Sequence, residues 1–279
     1  MKAVLVTALF DINRDIKGDG RRIEEYLEWF SKTLKIQCDM FIYTEKKFYD
    51  FINFIRKDIP KKTEIIIQNL KDLSLYKDIN RMSNIMNNYR YKTKIRDPNR
   101  IECYLPEYNL IQYSKFEWLE NTIFLSEKEG EKYDFFFWID AGCSRFFLDT
   151  DIAKEWPNFE LFEKDKFLIQ RNTNFEYMWN NLKINEYLWD NRSFLVGTLF
   201  GGSSENIKVI KGKVLDVYKN YFLQNNCINN EQIALGIVAK ENLNLFNIIP
   251  QKLYNEKEGS SHLPLFKRIS YDYIKGENE

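Results

Sequence analysis

At 279 residues the chain is long enough to enclose one large core and falls in the range of a single α/β domain with insertions. Hydrophobic residues at 44% and charged residues at 29% stand close to globular averages, which excludes a disordered chain and a membrane bundle. The 41 Lys and Arg balance 41 Asp and Glu, and no basic stretch is long enough to follow a phosphate backbone, so nucleic acid is excluded as a partner.

The first element is a strand. Ala3 to Leu9 is continuously apolar and rich in branched side chains, the pattern of a strand covered on both faces of a parallel sheet. Lys2 followed by an apolar run has the outline of a signal peptide, but Asp11, Arg14 and Asp15 follow without a small-residue cleavage site. A polar loop over Asp11 to Gly20 then leads to a helix from Arg21 to about Lys35, with Ile23, Tyr26, Leu27, Phe30 and Leu34 on one stripe. Strands are predicted at Met40 to Thr44 and Glu64 to Gln68, with a helix at Lys46 to Arg56 between them. A long helix is predicted from Pro106 to about Leu125, with proline suited to its first turn. Strands follow at Asp134 to Asp140, Phe167 to Gln170, Phe194 to Phe200 and Leu245 to Ile249, with helices at Glu205 to Phe222 and Asn230 to Glu241. The alternation predicts an α/β fold: a single Rossmann-type domain with a mostly parallel central sheet flanked by helices. Only the polar stretch beyond Pro250 reads as detachable. Four scattered cysteines without a C-x-x-C pair fit a reducing compartment, and no apolar run reaches the roughly 20 residues needed to span a bilayer, so any membrane contact is expected to be peripheral.

Five features stand out chemically. Asp140 ends the very apolar strand Phe135 to Ile139, where a carboxylate can hold a divalent cation or a ribose hydroxyl, or can simply start a turn. Lys115 falls in the Ile111, Lys115, Leu119 stripe, either as a lysine with buried stem and wet head or as a point charge for phosphate. Gly201 and Gly202 follow a strand and suit either close approach of a substrate or an ordinary turn before Ser203 and Ser204. Glu231, at the start of a helix headed by Asn230, is either part of a cap or a fixed carboxylate able to take a proton. His262 is the chain's one histidine, so a two-histidine zinc site is excluded and any histidine triad would have to use it. Neither a Walker A loop nor G-x-G-x-x-G follows the first strand.

Taken in order, Val6-Thr7-Ala8-Leu9-Phe10-Asp11, the helix with Tyr113-Ser114-Lys115, Trp138-Ile139-Asp140-Ala141-Gly142, Phe200-Gly201-Gly202 and Asn230-Glu231-Gln232 resemble the HtrL/YibB family, which includes WlaTC-like proteins. That family is associated with bacterial lipopolysaccharide and capsule gene clusters and resembles GT-A glycosyltransferases. The resemblance implies a GT-A-like domain with a nucleotide-binding half (1–140), an acceptor-side half (141–250) and a tail (251–279). It implies that Thr7, Ala8, Phe10, Arg14, Lys115, Asp140, Ala141 and Gly142 bind the donor, and that Gly201 and Gly202 present donor-sugar and acceptor hydroxyls. Glu231 is then the catalytic base, and Asp140 and His262 the ligands of Mn2+ or Mg2+, although Gly142 stands where the second Asp of an Asp-x-Asp motif is usual. The tail, made pliable by Gly259, Ser260 and Ser261, would close His262 over the diphosphate. The implied reaction is inverting transfer of galactose from UDP-galactose to a hydroxyl of a glycan or lipid-linked glycan, such as lipooligosaccharide or capsule, in the cytoplasm or at the inner face of its membrane. The alternative is a non-catalytic nucleotide-sugar or carbohydrate-binding protein whose aromatic cleft includes Trp179 and Trp189.

Overall fold

The computed structural model describes residues 1–146, 156–172, 179–250, 252–253, 262–263 and 265–270. It contains a seven-stranded sheet with the spatial order β3-β2-β1-β4-β6-β5-β7. The strands are β1 (Ala3–Leu9), β2 (Asp39–Thr44), β3 (Thr63–Ile67), β4 (Phe135–Ile139), β5 (Phe167–Arg171), β6 (Leu195–Gly202) and β7 (Phe246–Ile249). All pairings are parallel except those of β6, which runs against both β4 and β5. The fold is therefore a single α/β domain with a mostly parallel sheet.

Helices cover both faces: α1 (Arg14–Lys17), α2 (Ile23–Thr33), α3 (Tyr49–Arg56), α4 (Ile79–Asn87), α5 (Tyr89–Lys94), α6 (Pro106–Lys128), α7 (Ile184–Tyr187), α8 (Ser204–Asp216), α9 (Glu231–Glu241) and α10 (Leu265–Arg268). Successive side chains of a strand point to opposite faces, and the two cores divide accordingly. Val4, Val6, Ala8, Phe136 and Trp138 pack with Leu110, Phe116 and Leu119 of α6 and with Ile207 and Ile233 of α8 and α9. Ala3, Leu5, Leu9, Phe135, Phe137 and Ile139 pack with Phe30, Leu34 and Ile52 on the other face. Both faces being covered accounts for the uninterrupted apolar runs of β1 and β4.

Three expectations are corrected. β6 continues through Gly201 and Gly202, which pair with Phe137 and Phe136 at the amino end of β4. Because β6 is antiparallel, these glycines lie at the opposite end of the sheet from Asp140. A Cβ on Gly201 would meet the Phe136 carbonyl oxygen at 2.3 Å, so glycine is required there by strand packing and not by a ligand. The predicted helix over Glu205 to Phe222 is α8 followed by a π-helical turn, Val217–Phe222. Within the stretch beyond Pro250, the described segment 265–270 is packed on the domain: Leu265, Phe266 and Ile269 are buried, and Phe266 stacks on Trp156 at 5.5 Å between ring centroids. Between β3 and α6, where no element was predicted, α4 buries Met82, Ile85 and Met86 along one face, and α5 starts at Asn88, whose side chain accepts from the Arg90 amide. Among the described residues no helix is long and apolar enough to cross a membrane.

Candidate functional site

The chain leaves β1 for β2 on one side and returns through α6 to β4 on the other. The carboxyl ends of these two adjacent parallel strands therefore open a crevice, where open α/β sheets hold ligands. Ala8, Phe10, Asp11, Arg14 and Arg21 line it from the β1 side; Asp140, Ala141, Gly142 and Arg145 line it from the β4 side. Tyr108, Ile111, Gln112 and Lys115 of α6, with Trp138 and Thr198, complete the wall.

Asp140 is the first residue past β4, and its backbone amide donates to the Thr198 carbonyl at 2.9 Å, which pins the strand end against β6. Its Oδ1 accepts from the Trp138 indole at 2.7 Å and lies 2.9 Å from the Lys115 ammonium. The side chain is 32% exposed, so one side of the carboxylate faces the crevice while the other is fixed.

Lys115 is only 1% exposed. Helix α6 is buried around most of its circumference, so its ammonium lies among protein groups and does not reach outward along an apolar stripe. It donates to the Gly197 carbonyl at 3.1 Å and to Glu231 Oε1 at 2.7 Å, besides meeting Asp140. An ammonium has three protons, and these three oxygens use them. Lys115 thus neutralises protein carboxylates; the expectation of a spare point charge for phosphate is corrected.

Glu231 opens α9, whose amino end is capped by Asn230 accepting from the Gln232 and Ile233 amides. Tyr113 of α6 donates to the Asn229 carbonyl at 2.9 Å and so docks this helix start beside Lys115. The fit against β6 depends on Gly197, because a Cβ there would lie 2.5 Å from Glu231 Oε1. Glu231 is 0% exposed, and its Oε2 has no hydrogen-bond partner. Burial pushes its carboxyl up to about 7 despite the opposing pull of Lys115. Glu231 does not line the crevice: Lys115 stands between it and the opening, so direct proton abstraction from a substrate by Glu231 is not what this geometry provides.

The loop between β1 and α2 is built around Arg14. Its guanidinium forks onto Asp19 (3.0 and 2.6 Å), donates to the Tyr26 hydroxyl and stands 5.2 Å from the Tyr108 ring centroid. Asp11 is tied to Lys47 at 2.9 Å, which holds its carboxyl below the ordinary range although burial opposes this. Arg21 stands 3.6 Å from Asp19 and remains 40% exposed; Arg145 lies across the opening with its guanidinium 5.5 Å from the Trp29 ring centroid.

Residues 1–256 match a family described as "Bacterial protein of unknown function (HtrL_YibB)". The chain belongs to the HtrL/YibB family. No curated protein matches it. Mouse xyloside xylosyltransferase 1, in its apo form, is similar over 89% of this chain and 84% of that one, at 9% identity and a TM-score of 0.43. A likeness this remote does not bear on activity.

In this HtrL/YibB protein the sheet brings Ala8, Phe10, Arg14, Lys115, Asp140, Ala141 and Gly142 to one crevice. Thr7 is not among them: it is fully buried inside β1 with its hydroxyl unpartnered. Gly201 and Gly202 lie at the far end of the sheet, and Gly197 and Thr198 of the same strand take the position near Asp140. Trp179 packs on Phe194 and Trp189 on Tyr91, away from the crevice, whose aromatic rings are Phe10, Tyr26, Tyr108 and Trp138. His262 sits opposite Leu253 in a two-residue strand pair; its side chain, and the segment 254–261, lie outside the described residues. Arg21 and Arg145 were missed, although Arg145 shares the loop of Asp140 and was within reach of the same strand-end argument.

Of the two expected metal ligands, Asp140 lines the crevice and the His262 side chain lies outside the described residues. No group of three or more His, Cys, Asp or Glu side chains among the described residues is arranged to hold a divalent cation. Asp140 already shares Oδ1 with an ammonium and an indole, so a dication there would face Lys115 across a low-dielectric gap. At Gly142 a Cβ would lie 3.3 Å from Trp29 and 3.5 Å from Tyr26, which turns the usual second carboxylate position toward aromatic rings.

Proposed function

We propose that this chain is a glycosyltransferase that takes a nucleoside-diphosphate sugar in the crevice between β1 and β4. The observation that carries the reading is Asp140 at the carboxyl end of β4, half-open to a crevice whose walls combine arginines for a diphosphate with aromatic rings for a base or sugar. The resemblance of the ordered motifs to GT-A enzymes supports galactose from UDP-galactose as donor and a bacterial surface glycan hydroxyl as acceptor, with inversion.

In that reaction the acceptor oxygen forms a bond to the anomeric carbon as the bond from that carbon to the diphosphate oxygen breaks, and the nucleoside diphosphate leaves with the electron pair. The hydroxyl proton passes to a carboxylate within reach of the crevice. Asp140 has that reach; Glu231 lies one lysine behind it and sets the place and charge of Lys115. Access and closeness to a bound hydroxyl decide between them.

The test is turnover of a panel of nucleotide sugars by the purified protein, read as release of nucleoside diphosphate with and without glycan acceptors. One donor, UDP-galactose being expected, should be consumed, and Asp140→Asn should lower turnover by about 100-fold or more, in the range of an acid–base group. Unchanged turnover in Asp140→Asn would sink the assignment. The second reading, a binding protein, draws on the withdrawal of Glu231 from the crevice; binding of a nucleotide sugar with no transfer or hydrolysis would establish it.

A further inference from the structure

We propose that Gln112 is a sugar-binding residue: its carboxamide, with the Tyr108 hydroxyl one helical turn before it, hydrogen-bonds ring hydroxyls of the sugar carried by the nucleotide. This rests on the nucleotide-sugar reading above. Its starting point is an amide without a partner. Gln112 is 9% exposed, and among the described residues its side chain makes no hydrogen bond. The other buried carboxamides, those of Asn109, Asn158, Gln170, Asn191, Asn229 and Asn230, each meet at least one partner. Burying an amide unpaired is costly, so the exception points to a ligand as its partner.

Gln112 is not sealed in. The enclosed, unpartnered side-chain atoms belong to Thr7, Asn109, Glu231 and Arg268, whereas Gln112 lines the crevice and opens on to it. Helix α6 sets this aim. Tyr108, Gln112 and Lys115 follow one another at spacings of four and three, which places them on one face of the helix, and all three line the crevice. Lys115 is fastened to Asp140 at 2.9 Å, so Gln112 stands one turn from the carboxylate beside which a transferred sugar has to lie. Tyr108, one turn nearer the start of α6, has the Arg14 guanidinium 5.2 Å from its ring centroid. Its hydroxyl also has no hydrogen-bond partner among the described residues.

The chemistry of the two groups favours a hydroxylated ring. A carboxamide carries no charge to attract a diphosphate. It offers two N–H donors beside a carbonyl acceptor, and because a hydroxyl both donates and accepts, one amide can engage two neighbouring hydroxyls. The phenol adds a third group of the same kind about 6 Å away along the helix, a span that one hexose can bridge.

The experiment is calorimetric titration of the full chain in Mn2+ with UDP-galactose, UDP-glucose and GDP-mannose, and with UDP and GDP, which lack the sugar. For whichever sugar nucleotide wild type binds most tightly, Gln112→Leu should weaken binding by about tenfold and Tyr108→Phe by about threefold, the loss of one or two neutral hydrogen bonds. Affinity for the matching diphosphate should be unchanged in both, which a merely structural role would not produce. Circular dichroism checks folding; should Gln112→Leu not fold, Gln112→Asn, which draws the amide back by one methylene, takes its place with the same expected loss. Equal weakening of sugar nucleotide and diphosphate would put Gln112 on the nucleotide and overturn the proposal, as would unchanged binding of the sugar nucleotide. Wild type that binds none of these ligands removes the nucleotide-sugar reading, and this proposal with it.

Discussion

Lys115, Asp140 and Glu231 come from three elements far apart in sequence, and each changes meaning once they meet. A helix start favours an ionised carboxylate, so Glu231 by its position in α9 should be a weak base. Burial wins: with Oε2 unpartnered and no exposure, the folded-state carboxyl stands at about 7, against an ordinary value of 4.5 in the unfolded chain. Between those two values the folded protein keeps a proton that the unfolded chain has released. Stability contributed by this group is therefore present in full below about pH 4.5, falls as pH rises through the window, and is lost above about 7. Lys115, raised by Asp140 and Glu231 against its burial, titrates above its ordinary 10.5 and does not enter that window. Urea unfolding of wild type and Glu231→Gln at pH 5 and pH 8 should show wild type losing roughly 2–3 kcal/mol relative to the variant between the two, from a shift of this size. A difference that stays flat with pH would mean that Glu231 does not titrate there.

At the scale of elements, the direction of β6 decides which of its glycines belong to the site. Gly197 lies at the Asp140 end and makes room for Glu231, whereas Gly201 is pressed against the backbone of β4. Gly201→Ala places a methyl group 2.3 Å from a carbonyl oxygen and 2.5 Å from the Phe137 ring, so the strands must separate. The expected cost is about 3 kcal/mol, the upper part of the usual range for overpacking, with nucleotide affinity unchanged because the site is at the other end of the sheet. Urea denaturation and a UDP titration on the same preparation check both halves; weakened UDP binding in a folded variant would return Gly201 to the site.

Across the whole molecule, the chain's last described segment closes the core below the sheet. Leu265 donates its amide to Gln170 Oε1 at 3.1 Å, Asn158 donates to the Ile269 carbonyl at 2.8 Å, and the Trp156 indole donates to the Phe266 carbonyl at 3.3 Å. Residues 265–270 therefore tie the sheet end at β5 to the segment 156–158. Phe266→Ala should destabilise the protein by about 3 kcal/mol or more, the lower end for removing a buried phenyl ring, measured as a drop in the urea midpoint at constant m. A loss below about 1 kcal/mol would show that this segment merely rests on the core.

What the sequence by itself determined is the set of elements whose signal is local. Ala3 to Leu9 and Phe135 to Ile139 are legible because a strand buried on both faces has no polar positions, and Asp140 is legible because the apolar run stops there. Their joint place in a crevice follows from the parallel α/β alternation. The helices at Ile79–Asn87 and Tyr89–Lys94 were harder to see because polar Asn, Arg and Lys surround a narrow stripe of Met82, Ile85 and Met86. The antiparallel sense of β6 is not written in its residues, since an apolar strand reads alike in both directions; pairing alone sent Gly201 away from the site and Gly197 into it. The same holds for Lys115. Its neighbours along α6 announce an apolar helix, while the carboxylates that hold it lie 25 residues on at Asp140 and 116 residues on at Glu231, and only the packing of α6 and α9 against the sheet brings those charges within hydrogen-bonding distance.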